Sequence, residues 1–180
     1  MKADKINNIM RKIRIDKITL SIGAGTESEN VEKAVSLLKA ITGAKVVKTV
    51  SKKRIAAWKL RPGLPIGAMV TIRGKKSALL LKNLLQAASF EVRPTSFMEN
   101  GFSFGIKEYI DITGVKYDPK IGIIGLNVAV SLKRAGFRVK GRKLRASKLG
   151  KSHLITPKDA REWAQETFGV KLKEEEERSR

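Results

Sequence analysis

The chain has 180 residues, 38 of them Lys or Arg against 17 Asp or Glu, a formal net charge of +21, with no cysteine and one histidine. The missing cysteines exclude disulfide frameworks, Cys-ligated zinc, iron–sulfur clusters and thiol nucleophiles; a single histidine excludes most triad and His-ligated metal chemistry, so no cofactor and no enzymatic activity are expected. Charge this one-sided opposes compaction unless a polyanion neutralises it, which makes nucleic acid the expected partner.

The N-terminal stretch MKADKINNIMRKIRID has no apolar core of signal-peptide length, and nothing in the chain approaches the roughly 20 apolar residues of a membrane span. A soluble, cytoplasmic protein without a membrane partner is expected. Ile13 to Ile22 sets Ile18, Leu20 and Ile22 against Lys17, Thr19 and Ser21, the period of a half-buried strand, which Gly23 and Gly25 break. Thr26 with Glu29 offers a capping box, and Val31, Ala34, Val35, Leu38 and Ile41 recur at helical spacing until Gly43. Val46 to Val50 is a short β-branched run. Beyond the basic loop 51–65, Ile66 to Arg73 alternates Ala68, Val70 and Ile72 with Met69, Thr71 and Arg73. Two strands are therefore predicted there. The Leu-rich stretch Ser77 to Ala88, bounded by Gly74, is a second helix. Phe102 to Ile110 has the aromatic content of a strand, with Gly105 marking a bulge or a close backbone approach. Leu126, Val128, Val130 and Leu132 alternate with Asn127, Ala129, Ser131 and Lys133, the cleanest strand signal in the chain. Thr156, Pro157 and Asp159 mark the start of a last helix, striped by Ala160, Trp163, Ala164 and Phe168.

No internal repeat and no Pro-, Gly- or Ser-rich linker divides this succession, so residues 1–170 read as a single domain. Residues 171–180, KLKEEEERSR, read as a disordered charged tail. Helices with one apolar face and strands with one polar face predict an α+β fold: a mainly antiparallel sheet with helices on one side and the other side open. The residues of that open side, Thr19, Ser21, Thr71, Asn127, Ala129 and Ser131, are small and mostly uncharged. Such side chains admit a rigid partner and hydrogen-bond the 2′-hydroxyls of a wide A-form minor groove. The plainer alternative is a surface where Thr is present for its strand propensity.

Cations are laid out in blocks. Lys33 to Phe90 holds 13 basic residues and no acid, and Lys133 to His153 holds nine basic residues and no acid. Neither block can pair internally, which points both towards polyphosphate rather than towards solvated faces. The second block, a basic loop over about 134–153, supplies Arg138, Lys140, Arg142, Lys143, Arg145, Lys148 and Lys151 as further RNA contacts. Within the first, Trp58 lies among Lys52, Lys53, Arg54, Lys59 and Arg61. It reads either as a stacking platform or as an anchor tucked under the sheet.

Several motifs fail on inspection. Gly23-Ala-Gly25-Thr-Glu-Ser28 lies between strand and helix, but the third glycine of a dinucleotide fingerprint is Ser28 and the later acid is absent. Gly74-Lys75-Lys76-Ser77 ends like a P-loop, yet position 69 is Met69 and the second lysine displaces the hydroxyl residue. His153 has no neighbouring carboxylate and reads as solvated or RNA-facing rather than as a base. Phe97, Phe102 and Phe104 lack the spacing of a base-stacking RNA recognition sheet.

The segments IRIDKITLSIGAG, ITGAK, SKKRIAAWKLRPGLPIGAMVTIRG and GFSFGIKEYIDITGVKYDPKIGIIGLNVAV resemble, in order and spacing, the large-subunit ribosomal protein five family in its archaeal and eukaryotic form, from about Ile9 to Val170. The resemblance implies binding of 5S ribosomal RNA and its attachment to the large-subunit RNA in the central protuberance, beside neighbouring large-subunit proteins. It also implies a bridge to a protein of the small-subunit head and contact with the peptidyl-site transfer RNA. Thr19, Ser21, Lys45, Lys48, Thr71, Arg73 and Lys75 then fall at ribosomal-RNA contacts, and Lys52, Lys53, Arg54, Trp58, Lys59 and Arg61 on a loop facing the transfer RNA. Ser21 and Ala44 stand where amide side chains are common in the family, and Val46 where proline is common. Lys45 and Lys48 are therefore expected to carry more of the affinity through phosphates.

Two rivals share the basic surface. An RNA-modifying enzyme needs a proton-transfer residue, and Asp16, Glu108, Asp111 and Asp118, the acids near structured segments, are spaced like surface and turn residues. An architectural nucleic-acid binder sits poorly with a large mixed core and a weakly charged sheet face.

Overall fold

The computed structural model describes residues 8–173. The chain runs β1 (Arg14–Gly23), α1 (Ser28–Thr42), β2 (Val47–Val50), β3 (Pro65–Ile72), α2 (Lys75–Ala87), β4 (Glu91–Val92), β5 (Phe97–Met98), β6 (Gly101–Ile106), β7 (Leu126–Lys133), the four-residue α3 (Arg138–Gly141), α4 (Pro157–Phe168) and β8 (Lys171–Leu172). Six strands form one sheet in the order β2-β3-β1-β7-β6-β5, with every neighbouring pair antiparallel. This is the predicted α+β architecture.

Alternation along the strands decides which side is covered. Ile18, Leu20 and Ile22 of β1, Val70 of β3 and Val128, Val130 and Leu132 of β7 are all buried, in one cluster with Leu37 and Leu38 of α1, Leu81, Leu84 and Leu85 of α2, and Ala160 and Ala164 of α4. The helices therefore share one side of the sheet, and each leucine sealed between the layers contributes roughly 1.5–3 kcal/mol. Two glycines permit close strand packing: a Cβ on Gly67 would overlap the carbonyl oxygen of Ile22, and one on Gly101 the carbonyl oxygen of Val130.

Helix ends follow their sequence signals unevenly. At α4 the Thr156 hydroxyl accepts from the Asp159 N–H at 3.2 Å while the Asp159 carboxylate accepts from the Thr156 N–H at 3.2 Å, the reciprocal box expected there. At α1 the expected box of Thr26 and Glu29 does not form. Glu27 occupies the cap position, its carboxylate accepting from Asn30 Nδ2 at 2.8 Å, and Glu29 instead pairs with Lys33 at 2.8 Å.

Three further expectations are corrected. The strand expected over Phe102 to Ile110 ends at Ile106, because Tyr109–Asp111 turns into a 3-10 helix that buries the Tyr109 ring. Gly105 marks neither a bulge nor a close backbone approach, since β6 and β7 pair in unbroken register and a Cβ there would meet only the Asn127 side chain at 3.5 Å; the irregularities lie at Asp16 in β1 and at Ile66 in β3, opposite Thr49 and Val50. The tail does not begin at 171. β8 pairs in parallel with β4, with the Lys171 N–H donating to the Phe90 carbonyl at 2.8 Å and the Lys173 N–H to that of Val92 at 3.1 Å. Residues 174–180, which carry the acidic run, lie outside the described residues.

Candidate nucleic-acid interface

Register converts the open side of the sheet into rows. Thr71, Thr19, Ala129 and Ser103 stand side by side across β3, β1, β7 and β6; the next row is Met69, Ser21, Asn127 and Gly105, and on the other side come Lys17, Ser131 and Gly101. With strands about 4.8 Å apart, four of them give a floor on the order of 14 Å wide, on the side away from α1, α2 and α4. Apart from Lys17 at its edge, its side chains are hydroxyls, an amide, a methyl, a thioether and hydrogens, so it offers donors and acceptors at low height.

Charge gathers at the margins. The β2–β3 hairpin leaves β2 at Val50 and returns at Pro65, beyond the sheet end where Gly23 closes β1. It is laddered by backbone: Ser51 N–H to the Leu64 carbonyl at 2.8 Å, Gly63 N–H to the Ser51 carbonyl at 2.9 Å, and a reciprocal pair between Ile55 and Leu60 at 3.1 and 3.0 Å. Lys52, Lys53, Arg54, Lys59 and Arg61 are all exposed on it. Trp58 is 68% exposed, which excludes the reading of a tucked anchor.

The loop 134–153 springs from β7 at Lys133, at the opposite end of the sheet, where Arg14 begins β1. Arg138, Lys140, Arg142, Lys143, Arg145, Lys148 and Lys151 are exposed. Arg134, by contrast, is turned inward: Nη1 donates to the Leu154 carbonyl at 3.1 Å and Nη2 to Asp159 at 2.9 Å. His153 is half-buried rather than freely solvated. Its Nε2 lies 2.8 Å from the Ala135 carbonyl and its ring meets Phe137 edge-on at 5.9 Å, so it closes the base of the loop.

The remaining predicted contacts, Lys45, Lys48, Thr71, Arg73 and Lys75, are exposed, while Thr19 and Ser21 are half-buried between their neighbours on the floor. Among the described residues, Lys48 and Arg73 alone of the predicted cations have a carboxylate partner, Glu32 at 3.8 Å and Asp16 at 3.7 Å. Sequence reasoning placed Lys17 on the polar side and Lys133 in a basic block but named neither as a contact, although the same two-residue period that selected Thr19 and Ser131 places both on the interface. It had no means of finding Asp16, whose position depends on a bulge. Among the described residues no cluster of three or more His, Asp or Glu side chains is placed to hold a metal ion, and no helix is long and apolar enough to cross a membrane.

Comparison with known proteins supplies the family. Residues 8–61 match the family model "Ribosomal protein L5", and residues 65–154 match the model of that ribosomal family's C-terminus. The large ribosomal subunit protein uL5 of Nanoarchaeum equitans is 50% identical over 91% of the chain and 97% of its own length. Those of Sulfurisphaera tokodaii and Sulfolobus acidocaldarius are 41% and 38% identical, over 93% and 97% of the chain and 96% and 98% of their own lengths. An antiparallel sheet with a bare, small-residue face between two exposed cationic loops, matched along nearly its whole length by archaeal relatives, belongs to the uL5 family of structural, non-enzymatic proteins of the large ribosomal subunit.

Proposed function

We propose that the protein binds 5S ribosomal RNA on the open face of its sheet and helps attach it to the large-subunit RNA in the central protuberance. The observation that carries this reading is the floor of Thr71, Thr19, Ala129, Ser103, Ser21 and Asn127, on the side away from the three core helices and flanked by cations. Small polar groups fit the shallow minor groove of an A-form helix, where 2′-hydroxyls are displayed, and the surrounding cations hold phosphates. The hairpin tip, with exposed Trp58 among five cations, would follow the backbone of the peptidyl-site transfer RNA without reading its sequence. Loops at the sheet ends would bridge to a small-subunit head protein and meet neighbouring large-subunit proteins.

The test is a gel-shift titration with cognate 5S RNA over a salt series. Affinity should fall linearly with salt on a log–log scale, with a slope of about −0.7 to −0.9 per phosphate neutralised, and should exceed affinity for an unrelated RNA duplex. Equal affinity for both, or none lost with salt, would overturn the proposal.

A further inference from the structure

Across the six strands of the sheet one residue is acidic, and it stands among cations. Asp16 occupies the bulge of β1, where the pairing with β7 shifts between Ile15 and Lys17. Its Oδ1 lies 2.8 Å from Lys133 Nζ and 3.7 Å from Arg73 Nη1, both on the open side, and its side chain keeps 28% of its exposure. Oδ2 has no hydrogen-bond partner among the described residues. Arg14, which pairs across from Lys133, and Lys17 complete the corner.

An exposed pair of this kind contributes little to stability. Its effect on a polyanion is larger. Without Asp16 the corner would hold four cations converging at the rim of an uncharged floor, a site that takes any phosphate from any duplex. With it, two of those cations are partly neutralised and a carboxylate faces the incoming backbone. The free oxygen accepts hydrogen bonds and repels phosphate; a minor groove displays two kinds of donor, the guanine 2-amino group, which RNA and DNA share, and the 2′-hydroxyl, which RNA alone carries and which therefore sets the difference between them.

We infer that Asp16 is a specificity-determining residue, which admits RNA through its 2′-hydroxyls at this corner and excludes the phosphates of other duplexes, DNA above all. The inference rests on the proposal that the open face meets RNA. It separates Asp16 from a merely structural role, in which the carboxylate only relieves repulsion between Arg14 and Lys133.

The experiment compares wild type, Asp16→Asn, Asp16→Ser and Asp16→Glu for binding of 5S RNA and of a short DNA duplex of unrelated sequence, over a salt series, with thermal melts for each variant. For the Asn and Ser variants, affinity for DNA should rise about three- to fivefold and its log–log salt slope steepen by about 1 to 2, as one or two freed cations engage phosphates, while 5S affinity changes less than about twofold. The Glu variant, which keeps the charge, should retain wild-type discrimination. Parallel shifts for RNA and DNA, or lower melting temperature with an unchanged RNA-to-DNA ratio, would overturn the inference. A wild type that does not prefer 5S RNA at all would instead overturn the RNA reading of the face, and the inference with it.

Discussion

The two basic stretches look alike as text and are built differently. In the β2–β3 hairpin the backbone holds itself, through bonds from Ser51 to Leu64 and between Ile55 and Leu60, so Lys52, Lys53, Arg54, Lys59 and Arg61 have no structural duty. In the 134–153 loop there is little ladder, and side chains do the holding: Arg134 ties the loop to Asp159 and the Leu154 carbonyl, His153 meets Ala135, and Arg142 Nε donates to the Arg145 carbonyl at 2.8 Å. An acid-free run therefore does not imply that every cation is meant for a partner. In one region charge is surplus to the fold and in the other part of it is consumed by the fold.

The sharpest way to break this contrast is to remove one cation from each kind. Arg134→Ala strands the Leu154 carbonyl and the Asp159 carboxylate, which should cost about 2–3 kcal/mol in urea unfolding. Removing Lys52, Lys53 and Arg54 together should leave stability within about 0.5 kcal/mol of wild type. The same triple change should weaken peptidyl-site transfer-RNA binding by about tenfold and lower its salt slope by about 2, with 5S binding retained. Loss of both RNAs together would refute separate surfaces. Trp58→Ala should lose roughly 1 kcal/mol of transfer-RNA affinity with no change in melting temperature, the signature of stacking rather than packing.

The smallest effect lies away from both regions, on α1. Lys33 donates a hydrogen bond to Glu29 and adds its charge, holding the Glu29 carboxyl below the usual carboxylate range. A folded-state value lowered in this way stabilises the protein above the unfolded-state value and loses that contribution as pH falls through the lowered one. Wild type should thus melt slightly above Glu29→Gln at about pH 7, with the difference vanishing as pH falls through and below the usual carboxylate range; a difference that persists in acid would contradict the pairing.

Much of the fold was legible because β1, β3 and β7 each keep a two-residue period, and α4 carries Thr156, Pro157 and Asp159 at its start. The polar floor was legible for the same reason. What escaped was short or non-local. β4 and β8 are two residues each and pair across 80 positions of chain, so neither has a period to read. The bulge at Asp16 depends on how β7 docks against β1, and the clamping role of His153 on where Ala135 and Phe137 come to rest. Trp58 among cations is compatible with either a buried or an exposed ring, and only the hairpin ladder decides it.

The central claim is that RNA docks on the bare face of the sheet, and the absence of cysteine allows a clean test by attaching a hydroxyl-radical source to a single introduced thiol. From Ala129→Cys, exposed at the centre of the floor, cleavage of bound 5S RNA should be confined to one minor-groove stretch, while Leu79→Cys, exposed on α2, should give none. Cleavage from position 79 with none from position 129 would place the RNA on the helical side and contradict the account.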